Sequence, residues 1–373
     1  MYLIRKPPSA IRRWIRDVFK ITWSACLFYS GALFLLQFIY SRLSRERKVF
    51  VLKYHRISNF KKGEEAFPFE VGVRVKDFER QIRYLSQRHQ IISLKEAATC
   101  LKGEGGLPPL SVVITFDDGY EDVFTLAYPI LQEYGAKATV FINPSYTGPR
   151  VITWRDELAE IVRRAGLSEI NQEAANPAYP KEVREILTQA KLETFSQRIE
   201  LLQNLMSLLK RLDDKEAKAV VNNLSQRIDW RQGNWERSLP VSWEQVAEMD
   251  TGGIEFGAHT LTHPPLTRID PKQARYEITA SKEEIEQKLG KPVAVFCYPF
   301  GDFNEEVKEM VKEAGFICAC SSVYGVVDRS SDPYALERIG MESKFDAPAG
   351  RFSRAIFAVE MSGLADILFF RRF

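Results

Sequence analysis

Two adjacent carboxylates and two closely spaced histidines are the residues of this sequence best suited to chemistry. Asp117 and Asp118 follow a run of apolar residues and precede Gly119. Two such carboxylates at the end of a buried segment repel each other and lose hydration, so a cation or a division of roles is expected to compensate. The alternative interpretation is an ordinary Asp-Asp-Gly turn, in which the glycine allows a sharp change of direction.

The chain contains four histidines, and His259 and His263 lie four residues apart. On one helical turn, or in a loop of similar curvature, this spacing directs both imidazoles at one ion, although two surface histidines could have the same spacing. With Asp118 they form a set of two imidazoles and one carboxylate that leaves coordination positions open. Such a set is typical of a catalytic site for zinc or a similar divalent ion, at which water can become nucleophilic near neutral pH.

The elements expected to position these residues alternate between strands and helices. Alternating strands and helices predict a parallel sheet or barrel, and functional groups gather at the carboxyl ends of its strands. His55 and the four residues above all fall just beyond predicted strand ends. Runs of apolar and β-branched residues predict strands at 49–54, 111–116, 138–142, 254–256 and 293–297, and apolar periodicity predicts helices at 75–88, 123–134 and 271–289.

Two further segments differ from this alternating pattern. From about 156 to 239 the sequence is polar and rich in helix formers, with one apolar stripe between Leu201 and Leu209, and predicts a helical insertion in a domain spanning 49–350. The segment 351–373 is amphipathic and is expected either to pack on the core or to rest on a membrane surface.

The N-terminal region predicts attachment to a membrane. Residues 21–41 carry no charge, and 21 residues of helix match a hydrocarbon core about 30 Å thick. A buried core helix or a cleaved signal peptide fits less well, because the run is long and no small-residue cleavage site follows it. The basic segment 1–20 slightly favours a cytoplasmic N-terminus, so we expect a single-pass protein whose large domain lies outside the cytoplasm.

The charge balance of the chain bears on one class of partner, nucleic acids. The chain has 52 Lys and Arg against 49 Asp and Glu, a formal net charge of +3, and much of this small excess lies in the first 50 residues. The net charge therefore gives no reason to expect nucleic-acid binding.

Three ordered motifs resemble those of the polysaccharide deacetylases of the NodB-homology group, carbohydrate esterase family 4. They are TFDDGY at 115–120, HTLTH at 259–263 and YPFG at 298–301. The resemblance covers about 55–340 apart from the insertion, and implies a deformed (β/α) barrel that hydrolyses N-acetyl groups of a polysaccharide or glycan with metal-activated water. It implies that Asp117 is the general base and that Asp118, together with the two histidines of the second motif, holds the metal.

The resemblance also implies roles for the third motif. A backbone N–H near Phe300 is expected to stabilise the oxyanion, and Tyr298 belongs to the same oxyanion and substrate region.

The sequence departs from the family pattern at the general acid. Most members take the acid from a histidine in a late motif, but no histidine follows His263 here. The chain resembles the rearranged subgroup that includes poly-N-acetylglucosamine N-deacetylases, in which an early strand brings in the acid, and this implies His55 as the acid. The alternative is a strand-end histidine that makes only a structural hydrogen bond.

A second departure concerns the base. Cys297 stands where many relatives carry an arginine that orients the base. Arg338 is a candidate replacement, and an ordinary surface ion pair is the alternative for it.

Two other functions remain open at the level of sequence. The altered third motif leaves room for a binding or scaffold protein that keeps the fold without the chemistry. A metal-dependent O-deacetylase is equally compatible with the motifs, because the same water would attack the same kind of carbonyl.

Overall fold

The computed structural model describes residues 10–43, 47–58, 72–103, 106–212, 214–231, 239–341, 346–347 and 351–365. Its strands are β1 (Val49–Tyr54), β2 (Arg56–Ser58), β3 (Gly72–Arg74), β4 (Gln90–Ile91), β5 (Ser111–Phe116), β6 (Thr139–Ile142), β7 (Glu255–Ala258), β8 (Val295–Cys297), β9 (Cys318–Tyr324), β10 (Leu336–Gly340), β11 (Asp346–Ala347) and β12 (Arg351–Phe352).

The α-helices flank these strands and form the N-terminal and inserted regions. They are α1 (Ala10–Tyr29), α2 (Ala32–Leu43), α3 (Val75–Arg88), α4 (Leu94–Leu101), α5 (Tyr128–Glu133), α6 (Pro144–Thr147), α7 (Trp154–Arg164), α8 (Leu167–Ala174), α9 (Lys181–Thr188), α10 (Phe195–Leu209), α11 (Asp214–Arg227), α12 (Trp243–Thr251), α13 (Pro271–Leu289), α14 (Glu305–Glu313) and α15 (Arg354–Glu360).

Seven parallel strands close into a barrel. The order runs β1, β10, β9, β8, β7, β6 and β5, and β1 also pairs with β5, where Leu52 lies opposite Ile114. The short β4 pairs with the amino-terminal half of β5, whose carboxyl-terminal half pairs with β6. The predicted parallel (β/α) barrel is therefore confirmed.

Alternate strand positions face two different environments. On β1, Val49 and Val51 belong to a cluster shared with β5, β6, β8, β9 and β10, whereas Phe50 and Leu52 belong to a larger cluster shared with the helices. Because side chains alternate across a strand, the first cluster fills the barrel and the second covers its outside. All six residues of β5 are buried, as expected for a strand with both faces covered.

Five helices, α7 to α11, lie between β6 and β7 and have an apolar core of their own. Leu201 and Leu209, the ends of the stripe seen in the sequence, are buried in this core together with Trp230. We refer to this region as the helical insertion.

The predicted anchor at 21–41 falls on α1 and α2. Over the part of the chain that the structure describes, no single helix is both long and apolar enough to cross a bilayer. The segments 18–29 and 32–39 meet that criterion only as a pair, and they are bent by 79° at the break between them.

The described part of the C-terminal segment packs on the core. Ile356, Phe357 and Val359 of α15 are buried in the outer cluster, and α15 lies beside α1. α15 thus packs on the core, one of the two arrangements expected from the sequence, whereas 366–373 lie outside the described residues.

Candidate active site

Five of the residues singled out in the sequence meet at the carboxyl end of the barrel. Asp117 and Asp118 leave β5, His55 leaves β1, and His259 leaves β7 with His263 on the loop that follows. The strand ends bring these residues together although His55 and His263 lie 208 positions apart in the sequence.

Arg338 on β10 holds Asp117 in a buried, two-point ion pair. Nη1 donates to Oδ1 and Nη2 to Oδ2, both at 2.7 Å, and the Arg338 side chain is fully buried. Burial alone would raise the pKa of Asp117, but the guanidinium outweighs it and holds this pKa well below its usual range. Arg338, the candidate replacement for the family arginine, therefore bonds both oxygens of Asp117, and the pair is buried and not at the surface.

Cys297 makes room for this guanidinium. Its Sγ lies 3.1 Å from Arg338 Nη2 and 3.7 Å from Asp117 Oδ1. Burial raises the pKa of the Cys297 thiol, so the group is neutral and adds no charge to the pair. Arg338 is fixed further by donating from Nε to the carbonyl of Ser321 at 2.7 Å.

Asp118, His259 and His263 form a compact group beside this pair. Asp118 Oδ1 lies 3.1 Å from His263 Nε2 and 3.6 Å from His259 Nε2. The two imidazole rings are 4.7 Å apart and nearly perpendicular. The structure brings these three side chains together, with their ligand atoms close enough to share one ion.

The backbone around these three residues is unusual. The histidines lie on a loop, not a helix, and His263 has a positive φ of 62° while Asp118 has a φ of 67°. Non-glycine residues adopt this region at some energetic cost, so the surrounding contacts must hold them there. Glu277 on α13 does so for the loop by accepting from both the backbone N–H and the hydroxyl of Thr262, at 2.8 and 2.7 Å.

The protonation states of the three residues suit a divalent ion. His259 Nδ1 donates to the carbonyl of Cys297 at 2.7 Å, which leaves Nε2 as a lone-pair donor facing Asp118. Burial lowers the pKa of His259, and burial with the nearby Arg155 charge lowers the pKa of His263 to about 3. Asp118 Oδ1 is buried and accepts no hydrogen bond. Neutral imidazoles and an ionised carboxylate are the states that ligate metal.

A second group, Asp117, His259 and Cys297, also lies close enough to share an ion. It fits a metal less well, because Arg338 already bonds both oxygens of Asp117 and the thiol of Cys297 is protonated. The residues therefore favour the Asp118 group as the metal site.

Arg155, at the start of α7, was not singled out in the sequence. Its Nη2 lies 3.6 Å from Asp118 Oδ1, and its Nη1 lies 3.4 Å from His263 Nε2. The neighbouring Asp156 accepts from the Tyr120 hydroxyl at 3.0 Å, which ties α7 to the turn after β5. No sequence signal distinguished Arg155, because it is one of many charged residues in the helical insertion.

His55 approaches Asp117 from β1. Its Nε2 lies 3.9 Å from Asp117 Oδ2, beyond direct hydrogen-bond distance, and 23% of its side chain is exposed. This exposure leaves His55 accessible to a ligand in the barrel mouth.

The third motif places one residue, Phe300, at the site and another, Tyr298, in the core. Phe300 has a φ of 60°, and its ring meets that of His263 edge-on at 4.8 Å. The Tyr298 side chain, expected near the substrate, is instead buried: its hydroxyl donates to the carbonyl of Tyr334 at 2.9 Å, and its backbone N–H donates to Cys320. Strand alternation at the end of β8 turns Tyr298 outward into the helix-facing core, so neither donor is available to a substrate.

A parallel barrel with an ionised carboxylate, a metal-type ligand set and a histidine at one rim defines a hydrolase-type site. The model of the polysaccharide deacetylase family matches residues 104–190 and 194–319, and the chain belongs to this family. The family predicted from the three motifs is therefore confirmed, as is the enzyme class, a hydrolase acting on carbon–nitrogen bonds.

Individual relatives agree with this assignment. The chain is 22% identical over 299 residues to YxkH of Bacillus subtilis (strain 168), whose name describes it as a polysaccharide deacetylase. The match covers 80% of this chain and 73% of YxkH. It is 35% identical over 114 residues to the poly-beta-1,6-N-acetyl-D-glucosamine N-deacetylase of Staphylococcus aureus (strain MSSA476), covering 28% of this chain and 39% of that enzyme.

Solved structures share the fold. The Streptococcus pyogenes deacetylase PplD, in complex with acetate, superposes with a TM-score of 0.54 at 18% identity, covering 81% of this chain and 96% of PplD. The polysaccharide deacetylase BC0361 of Bacillus cereus gives a TM-score of 0.50 at 16% identity, covering 86% of this chain and 70% of BC0361.

Proposed function

We propose that this protein removes N-acetyl groups from a glycan by metal-dependent hydrolysis. The observation that carries the proposal is the buried Asp117–Arg338 pair, with 2.7 Å hydrogen bonds, directly beside the Asp118, His259 and His263 group. A carboxylate held in one orientation next to a metal-type ligand set has the components of a hydrolytic site.

Asp117 acts as the general base. Arg338 bonds both of its oxygens and fixes the plane of the carboxylate, while each oxygen keeps a second lone pair. The carboxylate stays ionised at working pH, at some cost in basicity, and accepts the proton that the attacking water releases. Arg338 is a positioning residue, because it acts through Asp117.

His55 acts as the general acid. Its Nε2 is 3.9 Å from Asp117 Oδ2, so base and acid face the same small volume at the barrel mouth. After water adds to the acetamide carbonyl, protonated His55 donates to the leaving nitrogen, the C–N bond breaks, and acetate and a free amine leave. The backbone near Phe300 stabilises the oxyanion in this proposal.

Asp118, His259 and His263 would hold the divalent ion, for which zinc is the proposed identity because two imidazoles and a carboxylate suit it. When bound, this ion would polarise the acetamide carbonyl and make water more acidic. The matched segment of the staphylococcal enzyme supports an N-acetylglucosamine polymer as the class of substrate.

Acetate release from β-1,4- and β-1,6-linked N-acetylglucosamine oligomers tests the proposal. We expect turnover that a chelator abolishes and zinc restores, and that is lost in Asp117→Asn and His55→Ala. His89→Gln is the matched control, because His89 is a buried histidine that contacts the Met361 carbonyl at 2.8 Å, away from the site. Turnover indifferent to chelator and to Asp117→Asn would refute the mechanism. Release from O-acetylated oligomers alone would favour the O-deacetylase.

We also propose that 21–41 attach the protein to a membrane and that the catalytic domain lies outside the cytoplasm. The support is the uncharged apolar run together with the basic segment before it. Membrane fractionation and a reporter fused after Phe373 test this placement, and a soluble protein or a cytoplasmic reporter signal would overturn it.

A further inference from the structure

Helices α1 and α2 lie against the catalytic domain near the amino end of the barrel. α1 packs along α15, and Leu27 and Leu33 are buried in the outer cluster. The Phe34 ring of α2 contacts Arg88, which lies just before β4, and β4 pairs with the first residues of β5. The catalytic residues lie at the opposite, carboxyl end of the same strands.

The surface of α1 and α2 that does not contact the domain is largely apolar. Tyr29 is 78% exposed and Leu35 is 61% exposed. The other large apolar side chains exposed on these two helices are Val18, Phe19, Trp23, Leu36, Phe38 and Ile39. Exposed apolar residues in this number on two neighbouring helices indicate an interaction surface.

Two exposed arginines of the catalytic domain border this apolar surface. Arg88, at the end of α3, has its guanidinium 4.4 Å from the centre of the Phe34 ring. Arg354, at the start of α15, has its guanidinium 5.7 Å from the centre of the Phe28 ring. Over the described part of the chain, neither guanidinium forms an ion pair or a hydrogen bond. A guanidinium that stacks on a ring keeps the N–H groups at its edge free to donate.

A buried hydroxyl lies near both arginines. Tyr84 of α3 is 1% exposed, and its hydroxyl makes no hydrogen bond with any described residue. The Arg354 guanidinium lies 5.8 Å from the centre of the Tyr84 ring. Burial raises the pKa of Tyr84 to about 12, and the charges of Arg88 and Arg354 act against this rise, so both are near the hydroxyl. Three donors therefore gather here, and a phosphodiester would supply the acceptor oxygens they lack.

We propose that Arg88, Arg354 and the exposed surface of α1 and α2 form a docking surface for a bilayer of anionic phospholipid. The two guanidiniums meet the lipid phosphates, and the apolar side chains enter the region of the acyl chains. The catalytic mouth then opens away from the bilayer, towards glycan that lies beyond the membrane surface. The inference rests on the proposed membrane attachment, and it does not depend on the reaction.

Native mass spectrometry of the full chain in detergent micelles measures the binding of single lipids. Phosphatidylglycerol is the anionic probe, and phosphatidylcholine with the same acyl chains is the zwitterionic match. We expect phosphatidylglycerol to bind at least about fivefold more tightly, with the difference shrinking as the ammonium acetate concentration rises. Glycerophosphoglycerol, the same headgroup without acyl chains, should bind far more weakly than the lipid.

Variants of the two arginines then locate the effect. Arg88→Gln and Arg354→Gln should each weaken phosphatidylglycerol binding by about fivefold and leave phosphatidylcholine binding unchanged. Arg88→Lys keeps the charge and should keep the preference for the anionic lipid. Arg211→Gln is the matched control, because it removes the same charge from an exposed arginine of the helical insertion, whose Nη2 donates to the Ser207 hydroxyl at 3.1 Å.

The docking surface and the proposed function fail by different results. Equal binding of the two lipids, or unchanged phosphatidylglycerol binding in both glutamine variants, would overturn the docking surface even if the protein fractionates with membranes. Glycerophosphoglycerol binding as tightly as the lipid would overturn it in favour of a soluble phosphodiester. A full chain that fractionates as soluble protein would overturn the membrane attachment and the docking surface together. A lipid preference lost in Arg88→Gln, combined with no acetate release from any N-acetylated polymer, would keep the surface and sink the reaction.

Discussion

Replacing Arg338 by methionine tests the reasoning about the base most directly. The substitution keeps much of the side-chain volume but removes the two 2.7 Å bonds to Asp117 and the bond to Ser321. Losing one partner of a buried ion pair costs about 3–5 kcal/mol, because the other charge stays buried without compensation. We therefore expect urea unfolding of the zinc-loaded protein at pH 7 to report a loss of stability in that range, and acetate release to fall with it.

The pH dependence of this loss is equally specific. In the native protein the pKa of Asp117 is depressed, so the pair contributes stability above the unfolded-state pKa of about 3.9 and loses it as pH falls below that value. Without Arg338, burial is the largest remaining influence on Asp117, ahead of the weaker charges of His55 and His259, and it raises the pKa of this carboxyl. The variant therefore loses stability above the unfolded-state pKa and regains part of it when Asp117 is protonated. The stability gap between the two proteins should therefore narrow from pH 7 towards pH 4.

A double variant completes the test. Adding Asp117→Asn to Arg338→Met removes both charges, so the pair of substitutions should cost clearly less than the sum of the two single ones. If Arg338→Met lies within about 1 kcal/mol of the native protein at pH 7, or if the costs are simply additive, the buried pair is not what orders the site.

Three further outcomes are expected. Zinc added to chelator-treated protein at a hundredfold excess over Kd should stabilise it by about 2.7 kcal/mol and so raise the melting temperature in calorimetric scanning. The same addition should not raise the melting temperature of His263→Ala. Burial lowers the pKa of His89, so below pH 6.5 the unfolded chain binds more protons than the native protein and acid lowers stability. His89→Gln removes this contribution and should therefore lose less stability between pH 7 and pH 5 than the native protein does, as measured by urea titration at the two pH values. Gly301→Ala should lower the free energy of unfolding, measured by urea titration, by about 1–3 kcal/mol, because the backbone there has a φ of 69° and the added Cβ would lie 2.5 Å from Ser322 Cβ. A stability equal to that of the native protein would show that the turn at Phe300 is not strained.

Local sequence was enough to predict the barrel and to single out five residues that the structure brings together in the candidate site. The buried strand 111–116 and the Asp117-Asp118-Gly119 sequence after it were readable because apolar β-branched residues and a turn glycine are local signals. The spacing of His259 and His263 needed only a curved loop to bring both rings to Asp118.

Other features depended on packing between distant segments. Arg155 reaches Asp118 only because α7 packs across the barrel mouth, through the contact between Asp156 and Tyr120. Tyr298 was wrongly placed at the substrate because one step along an extended backbone moves a side chain from the barrel interior to its outside. Neither outcome has a signature in the neighbouring sequence.

The arginine–cysteine arrangement explains how the family pattern can change while the Asp117 carboxylate keeps an arginine partner. Arg338 enters the barrel from β10 and must pass the position on β8 from which, by the family resemblance, an arginine commonly supports the base. That position carries Cys297, whose Sγ contacts the incoming guanidinium at 3.1 Å. An arginine at both positions would bring two full charges against one carboxylate in a sealed interior, where like charges repel strongly. The small neutral side chain of Cys297 and the long cationic side chain of Arg338 are therefore coupled, because the guanidinium occupies the space that the small side chain leaves.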